Sequence, residues 1–239
     1  MSFIVRSVFF ALMLVSVRGL ADEEPRLSIG LNPFRLSTSK STFKAADGAT
    51  SSVSLTSIDT LGFSGADDSN PWVEVGFRHR RFVGYLFPFL PDSRREIWAG
   101  IKLEDYIEAG AVVAVRRQGF SEPQDLGGEV KISKMSRSEF GLFYRQKFLL
   151  MNQTFEGKLR AAAVVGDSTF EDSTLNRQVQ GISLQSELLW VWELGRRTEI
   201  DTGISFDYEK MNRRQGAFSA GSSSGYEISL NLLRTVFQF

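Results

Sequence analysis

The sequence predicts an all-β chain, one antiparallel sheet closed into a single barrel of about ten strands, with eight or twelve also compatible. Three observations carry this prediction. Runs of about ten residues alternate apolar and polar side chains, the period of a strand with one face in an apolar medium and the other in a polar one. Turn-rich gaps separate the runs. The alternation also continues to the very end, Thr235-Val236-Phe237-Gln238-Phe239. A chain of 239 residues is long enough for one all-β domain of this kind, and no second domain or linker is visible.

Residues 1–21 read as a cleaved export signal. Arg6 supplies the positive charge, Val8 to Val17 the apolar core, and Gly19-Leu20-Ala21 a small-x-small cleavage site. The apolar run is too short to span a bilayer as a helix. Residues 22–239 are then the barrel. A hydrophobic content of 42% and a mean hydropathy of −0.12 are too polar for a helical membrane protein and ordinary for a barrel with a wet interior. The 28 basic and 28 acidic residues cancel, and removing Arg6 and Arg18 with the signal leaves two more acids than bases. Nucleic-acid binding is disfavoured by the lack of a basic excess. Cysteine is absent, which removes disulfides, thiol catalysis, Cys-ligated zinc and a lipid-modified N-terminus.

The elements follow in order. Leu27, Ile29 and Leu31 open a strand that Pro33 is expected to bulge. Residues 51–63 form a weaker, Ser/Thr-rich strand. In 72–79, Val73, Val75 and Phe77 oppose Glu74 and Arg78. Ile97, Ala99, Ile101 and Leu103 oppose Glu96, Lys102 and Glu104, and a short turn leads into Ile107, Ala109, Ala111, Val113 and Val115. Phe140, Leu142 and Tyr144 oppose Glu139, Arg145 and Lys147, while Phe155, Leu159, Ala161, Ala163 and Val165 oppose Glu156, Lys158 and Arg160. Ile182, Leu184, Leu188, Trp190 and Trp192 oppose Ser183, Gln185 and Glu187. After the tight turn Gly195-Arg196-Arg197-Thr198, Ile200, Thr202, Ile204, Phe206 and Tyr208 oppose Asp201, Ser205 and Asp207. In the last strand Tyr226, Ile228, Leu230 and Leu232 share one parity but Leu233, Phe237 and Phe239 the other, which a bulge near Arg234 reconciles.

The gaps alternate in length. Long ones fall at 37–50, 87–95, 118–127, 168–178 and 211–224; short ones fall near 64–71, 104–106, 149–153 and 195–198. Short turns at one end and long loops at the other is the transmembrane-barrel arrangement, with both termini on the short-turn, periplasmic side.

Alternation alone does not tell a membrane barrel from a soluble one turned outside-in. Glycine discriminates. Gly30, Gly76, Gly100, Gly110, Gly141, Gly166, Gly181 and Gly203 all fall on the polar parity. Glycine in a strand costs entropy and packs nothing, so we read these positions as vacancies in a narrow lumen where charged side chains converge. Alanines on the apolar face would fill a soluble core poorly but are harmless against lipid. Trp190, Trp192, Phe206, Tyr208, Phe140 and Phe155 fit aromatic girdles.

On these residues the chain resembles the bacterial outer-membrane β-barrel class. The signal ending at Ala21, the alternating strands and the terminal Val236-Phe237-Gln238-Phe239 carry the resemblance. It implies outer-membrane lipid and lipopolysaccharide as surroundings. It also implies the barrel assembly machinery as a partner, reading the C-terminal strand that ends at Phe239.

The charges on the polar parity form the candidate site: Glu74, Arg78, Lys102, Glu108, Glu139, Arg145, Lys147, Glu156, Lys158, Arg160, Glu187, Asp201 and Asp207. About ten strands enclose a space that side chains can largely fill, so these groups are expected to pair across the lumen and close it. The first reading is a structural or surface-recognition barrel acting through its outer loops. The second is a narrow channel for ions or small solutes. A third is a lipid- or peptide-cleaving enzyme built on His79, the only histidine. A soluble ligand-binding barrel is the outsider. Arg78, Arg80 and Arg81 are candidates for lipopolysaccharide phosphates if 72–79 ascends towards the outer rim. Asp67-Asp68-Ser69-Asn70 reads as a turn rather than a calcium site. The Asn152-Gln153-Thr154 sequon falls in a short turn. No catalytic residue, metal or cofactor is implied, and oligomeric state is left open.

Overall fold

The computed structural model describes residues 26–32, 34–45, 48–60, 72–90, 94–118, 121–123, 129–170, 176–195, 197–215 and 218–239. The expected signal at 1–21, the bulge at Pro33 and the segment Asp67 to Asn70 lie outside them. The described residues form thirteen strands. They are β1 (Arg26–Asn32), β2 (Phe34–Lys44), β3 (Thr50–Thr60), β4 (Trp72–His79), β5 (Phe82–Leu90), β6 (Arg94–Glu104), β7 (Ile107–Gln118) and β8 (Ser121–Pro123). The long strands β9 (Glu129–Leu150), β10 (Gln153–Phe170), β11 (Arg177–Glu193), β12 (Thr198–Gln215) and β13 (Phe218–Gln238) complete the chain.

Ten strands close a ring in the order β1-β4-β5-β6-β7-β9-β10-β11-β12-β13, each antiparallel to its neighbours. The seam pairs Ile29 with Phe237 and Gly30 with Val236, and the Phe239 amide donates to the Leu27 carbonyl at 2.8 Å. Closure matters physically, because an open sheet edge in lipid would leave backbone groups unsatisfied. Beyond residue 231, counting from its start, β13 exchanges β2 for β1 as partner. β2 and its hairpin mate β3 therefore stand above the ring, prolonging one wall. The wall is uneven: β9 to β13 run 17 to 22 residues, whereas β4 to β7 run 8 to 12.

The described two-residue turns at 80–81, 105–106 and 151–152 lie at the end bearing both termini. Met151 and Asn152 carry φ of 51° and 61°, the left-handed pair that a two-residue hairpin with native twist requires. At the far end the expected long gaps contract. Residues 37–50, 87–95 and 211–224 are mostly strand, in β2–β3, β5–β6 and β12–β13. The sequence hid this because both faces of a strand beyond the apolar band are wet. Stretches such as Ser-Ser-Ser at 222–224 then lose their alternation while keeping their ladder.

Side-chain parity is as expected. Leu142 is 69% and Phe206 42% exposed, while Glu139 is 0% and Glu156 1%. The expected bulge is present. Asp201 faces Arg234 and Gly203 faces Asn231, so β13 carries one extra residue, and Leu232 and Leu233 both point outwards.

Several of the inward glycines, Gly100, Gly110 and Gly203 among them, need a different reason from the one the sequence implied. A Cβ on Gly100 or Gly110 would collide with the facing strand's backbone at Ala109 or Ala99, and one on Gly203 with the Leu188–Leu189 backbone. These positions relieve the inward crowding of a sharply coiled sheet. They do not vacate space for distant side chains.

Candidate functional site: the barrel interior

Inward-facing charges from strands remote in the ring meet in the interior. At the level nearer the termini, Glu74 of β4 accepts from Arg234 of β13 at 2.7 Å and from Arg145 of β9 at 3.3 Å. Lys158 of β10 approaches the same carboxylate at 3.7 Å. β4 and β10 stand five places apart in a ring of ten, so this contact spans the barrel. Arg145 also donates to Glu156 at 2.8 Å, and Lys158 bridges Glu156 at 3.4 Å and Glu187 at 2.9 Å. Arg234 reaches Asp201 at 3.7 Å. Alongside, Arg78 pairs with Glu108 at 2.9 Å, Tyr85 donates its hydroxyl to Glu108, and the Arg145 guanidinium lies 4.7 Å over the Tyr85 ring.

A second layer lies farther from the termini. Arg160 contacts Glu139 at 2.5 Å and Glu96 at 3.2 Å and donates to the Ser183 hydroxyl. Arg137 grips Glu209 with two donors at 2.7 and 3.0 Å, and Arg116 joins the same carboxylate at 3.1 Å. Three acids and three bases balance in this layer. Removing water from such groups is costly unless each finds a partner, and this arrangement supplies one.

An aromatic cluster shares the interior. Tyr85 and Phe87 of β5, Trp98 of β6 and Phe143 of β9 are buried with Val83 and Val112. Trp98 stacks on Phe143 at 4.8 Å and lies 5.0 Å from Phe87. The short wall β5–β7 supplies most of the inward aromatic side chains alongside Glu96 and Glu108, and the tall wall supplies most of the charges together with Leu189, Val191 and the buried cluster of Val164, Val179 and Met211.

Of the expected charges, Glu74, Glu108, Glu139, Arg145, Glu156, Lys158, Arg160 and Asp201 are buried. Glu187 joins them through Lys158. Lys147 instead pairs with Glu199 at 2.8 Å at the terminal end. Asp207 meets Arg35, 3.8 Å away, which also binds Glu227 at 2.7 Å. Lys102 departs from expectation. It is at the rim, pairing with the exposed Asp105 at 2.9 Å, because it is two residues from the turn. The candidate set did not include Arg116, Arg137 and Arg234, nor Glu96 and Glu209, although the strand pattern puts both acids on the polar parity. It also left out the aromatic cluster, although Trp98 shares parity with Glu96 and carried the signal; the Trp98 indole donates to Glu96 at 2.7 Å.

The Arg78-His79-Arg80-Arg81 group is corrected in position. β4 runs antiparallel to β1 and ends at the turn beside the termini, the end the sequence reading takes as periplasmic. The lipopolysaccharide contact expected of Arg78, Arg80 and Arg81 required it to ascend. His79 stacks on Phe77 at 6.4 Å, and neither ring nitrogen has a hydrogen-bond partner among the described residues.

The exterior completes the picture. Phe148, Phe155 and Trp190 stack in sequence near the terminal end, with Trp190 4.5 Å from Trp192. Phe206 and Tyr226 stack farther up at 6.5 Å. Between these belts lie Leu159, Leu184, Leu188, Ile204 and Ile228, all exposed. A closed wall, greasy outside and ionic inside, is the inverse of a soluble barrel. In fold, the chain is a ten-stranded transmembrane-type β-barrel.

No protein-family model matches this barrel, and no curated protein matches it. Solved structures that are similar include Neisserial surface protein A (8% identity, 88% of this chain and 100% of that one, TM-score 0.34). The outer membrane protein OprG from Pseudomonas aeruginosa is another (11% identity, 90% and 95%, TM-score 0.35). A third is Ail, the attachment invasion locus protein of Yersinia pestis, in complex with the heparin analogue sucrose octasulfate (14% identity, 91% and 100%, TM-score 0.33). Values this low transfer no residue role and no activity to this barrel. The fold assignment rests on its own closed wall and its two faces.

Proposed function

We propose that the protein resides in the bacterial outer membrane as a barrel whose interior is shut by ion pairs. Its role is then structural or one of surface recognition, carried by the tall wall and the β2–β3 hairpin at the end away from the termini. The observation behind this reading is the contact of Lys158 with Glu74 at 3.7 Å from strands on opposite sides of the ring. Arg145 and Arg234 flank it on the same carboxylate. A path for water would have to pass these groups and the Trp98–Phe143 stack. Aqueous channels belong to much wider barrels of about 16–18 strands.

Single-channel recording on purified protein in planar lipid bilayers tests this. The expected record is silent. Stable conductance steps that disappear on substituting Glu74→Gln or Arg145→Gln would establish a narrow ion channel instead.

A further inference from the structure

We propose that the outward face of β12, β13 and β2, just above the upper aromatic belt, binds the phosphates of an outer-leaflet glycolipid of the lipid A kind. This rests on the outer-membrane reading above. The site is assembled by register. Tyr208, Tyr226 and Lys40 form one row across the three strands; Lys210, Ser224 and Thr42 form the next; Asn212, Ser222 and Lys44 the third. All share the outward parity of Phe206 and Ile228. Arg214 continues the face on β12. Adjacent strands lie about 4.8 Å apart, so Lys40 and Lys210 flank β13 across roughly 10 Å, within reach of one diphosphorylated headgroup.

The charge on this face is uncompensated. Lys40, Lys44, Lys210 and Arg214 are exposed, and none makes an ion pair among the described residues. The acids of these strands point the other way: Asp207 and Glu227 to Arg35, Glu209 to Arg116 and Arg137. β2 has no acid at all. What remains outside is four cations set among serine and threonine hydroxyls. Exposed lysines and arginine in register above an apolar belt form a positive patch that attracts an anionic partner. Each cation near an anionic lipid surface contributes about 1 kcal/mol, and charge-assisted hydrogen bonds to phosphate are the strong ones. Height decides the source. The first row carries the tyrosines that end the apolar band, so the cations lie where lipid headgroups begin.

The test compares wild type with the variant K40Q/K44Q/K210Q/R214Q in octyl glucoside micelles, using bisphosphorylated lipid A as probe. Wild type is expected to bind at least about tenfold more tightly, and dephosphorylated lipid A is expected to bind both proteins alike. R80Q/R81Q, at the opposite end, is expected to match wild type. Equal affinity of wild type and the fourfold variant overturns the site. So does displacement of lipid A by millimolar inorganic phosphate, which marks a free-anion site, or binding of a sulfated oligosaccharide as tight as that of lipid A. Heat-modifiable gel migration of each protein, extracted from liposomes, checks the barrel. A wild-type chain that fails to enter liposomes overturns the outer-membrane reading and this one with it, whereas an inserted barrel without the difference overturns the glycolipid site alone.

Discussion

Arg234 donates to Glu74 at 2.7 Å across 160 residues of sequence, tying the last strand to β4 over the intervening β1. Two outward leucines precede Arg234, and the extra residue they represent is what returns the guanidinium to the interior. The bulge in β13 and the ion pair at the seam are therefore one feature. Removing a single partner strands a buried charge, which costs about 3–5 kcal/mol. Arg234→Gln is expected to lower the urea midpoint of unfolding from micelles by that order. The double variant R234Q/E74Q is expected to recover part of the loss. If the two single losses simply add, the pair is not coupled.

The same bulge makes a sign-sensitive prediction about deletions. Without Leu233 the ladder runs directly from Asn231–Gly203 to Arg234–Asp201, and every side chain keeps its face. Deleting Ser229 instead turns Leu230 inwards and Asn231, bonded to Asn32 at 2.6 Å and to Glu187 at 3.0 Å, out into lipid. Heat-modifiable gel migration should therefore survive the first deletion and vanish in the second. The reverse result would place the extra residue elsewhere.

Glycine gives a third prediction. Gly100 and Gly110 face each other across β6 and β7, each against backbone that cannot move aside as a side chain can. Gly100→Ala and Gly110→Ala are each expected to cost about 1–3 kcal/mol, the range for overpacking, read as reduced refolding yield and a lower unfolding midpoint. Gly157→Ala is the control, since its nearest neighbour is the Phe148 ring at 3.6 Å. If all three alanines behave alike, crowding is not why the inward glycines are there.

Much of this was legible because lipid imposes a strict two-residue period wherever a strand crosses it. Ile182 to Trp190 and Ile200 to Phe206 declare their faces without ambiguity, as does the parity break at Leu232–Leu233. Legibility ended where the period did. On β2 and the upper part of β13 both faces are wet, so serine and threonine carried no parity and strand was read as loop, while β3 was read as a strand but a weak one. Within the site, parity names which charges point inwards but not which meet. Glu74 and Lys158 are joined by ring closure, which no local pattern encodes. Short-wall aromatics such as Tyr85 and Phe87 escaped because apolar residues on both faces of β5 erase the alternation. The direction of β4 depended on counting strands through 61–71, and the wrong count put Arg78 to Arg81 at the wrong end.

Everything above depends on which face of the wall meets lipid, and the absence of cysteine makes that directly measurable. Single cysteines at Ser183, Leu184, Ser205 and Phe206, labelled with a small fluorophore in bilayers containing brominated lipid, report contact with acyl chains. The account predicts strong quenching at Leu184 and Phe206 and little at Ser183 and Ser205, which are 3% and 4% exposed. Quenching at the serines, with the Leu184 and Phe206 labels protected, would contradict it.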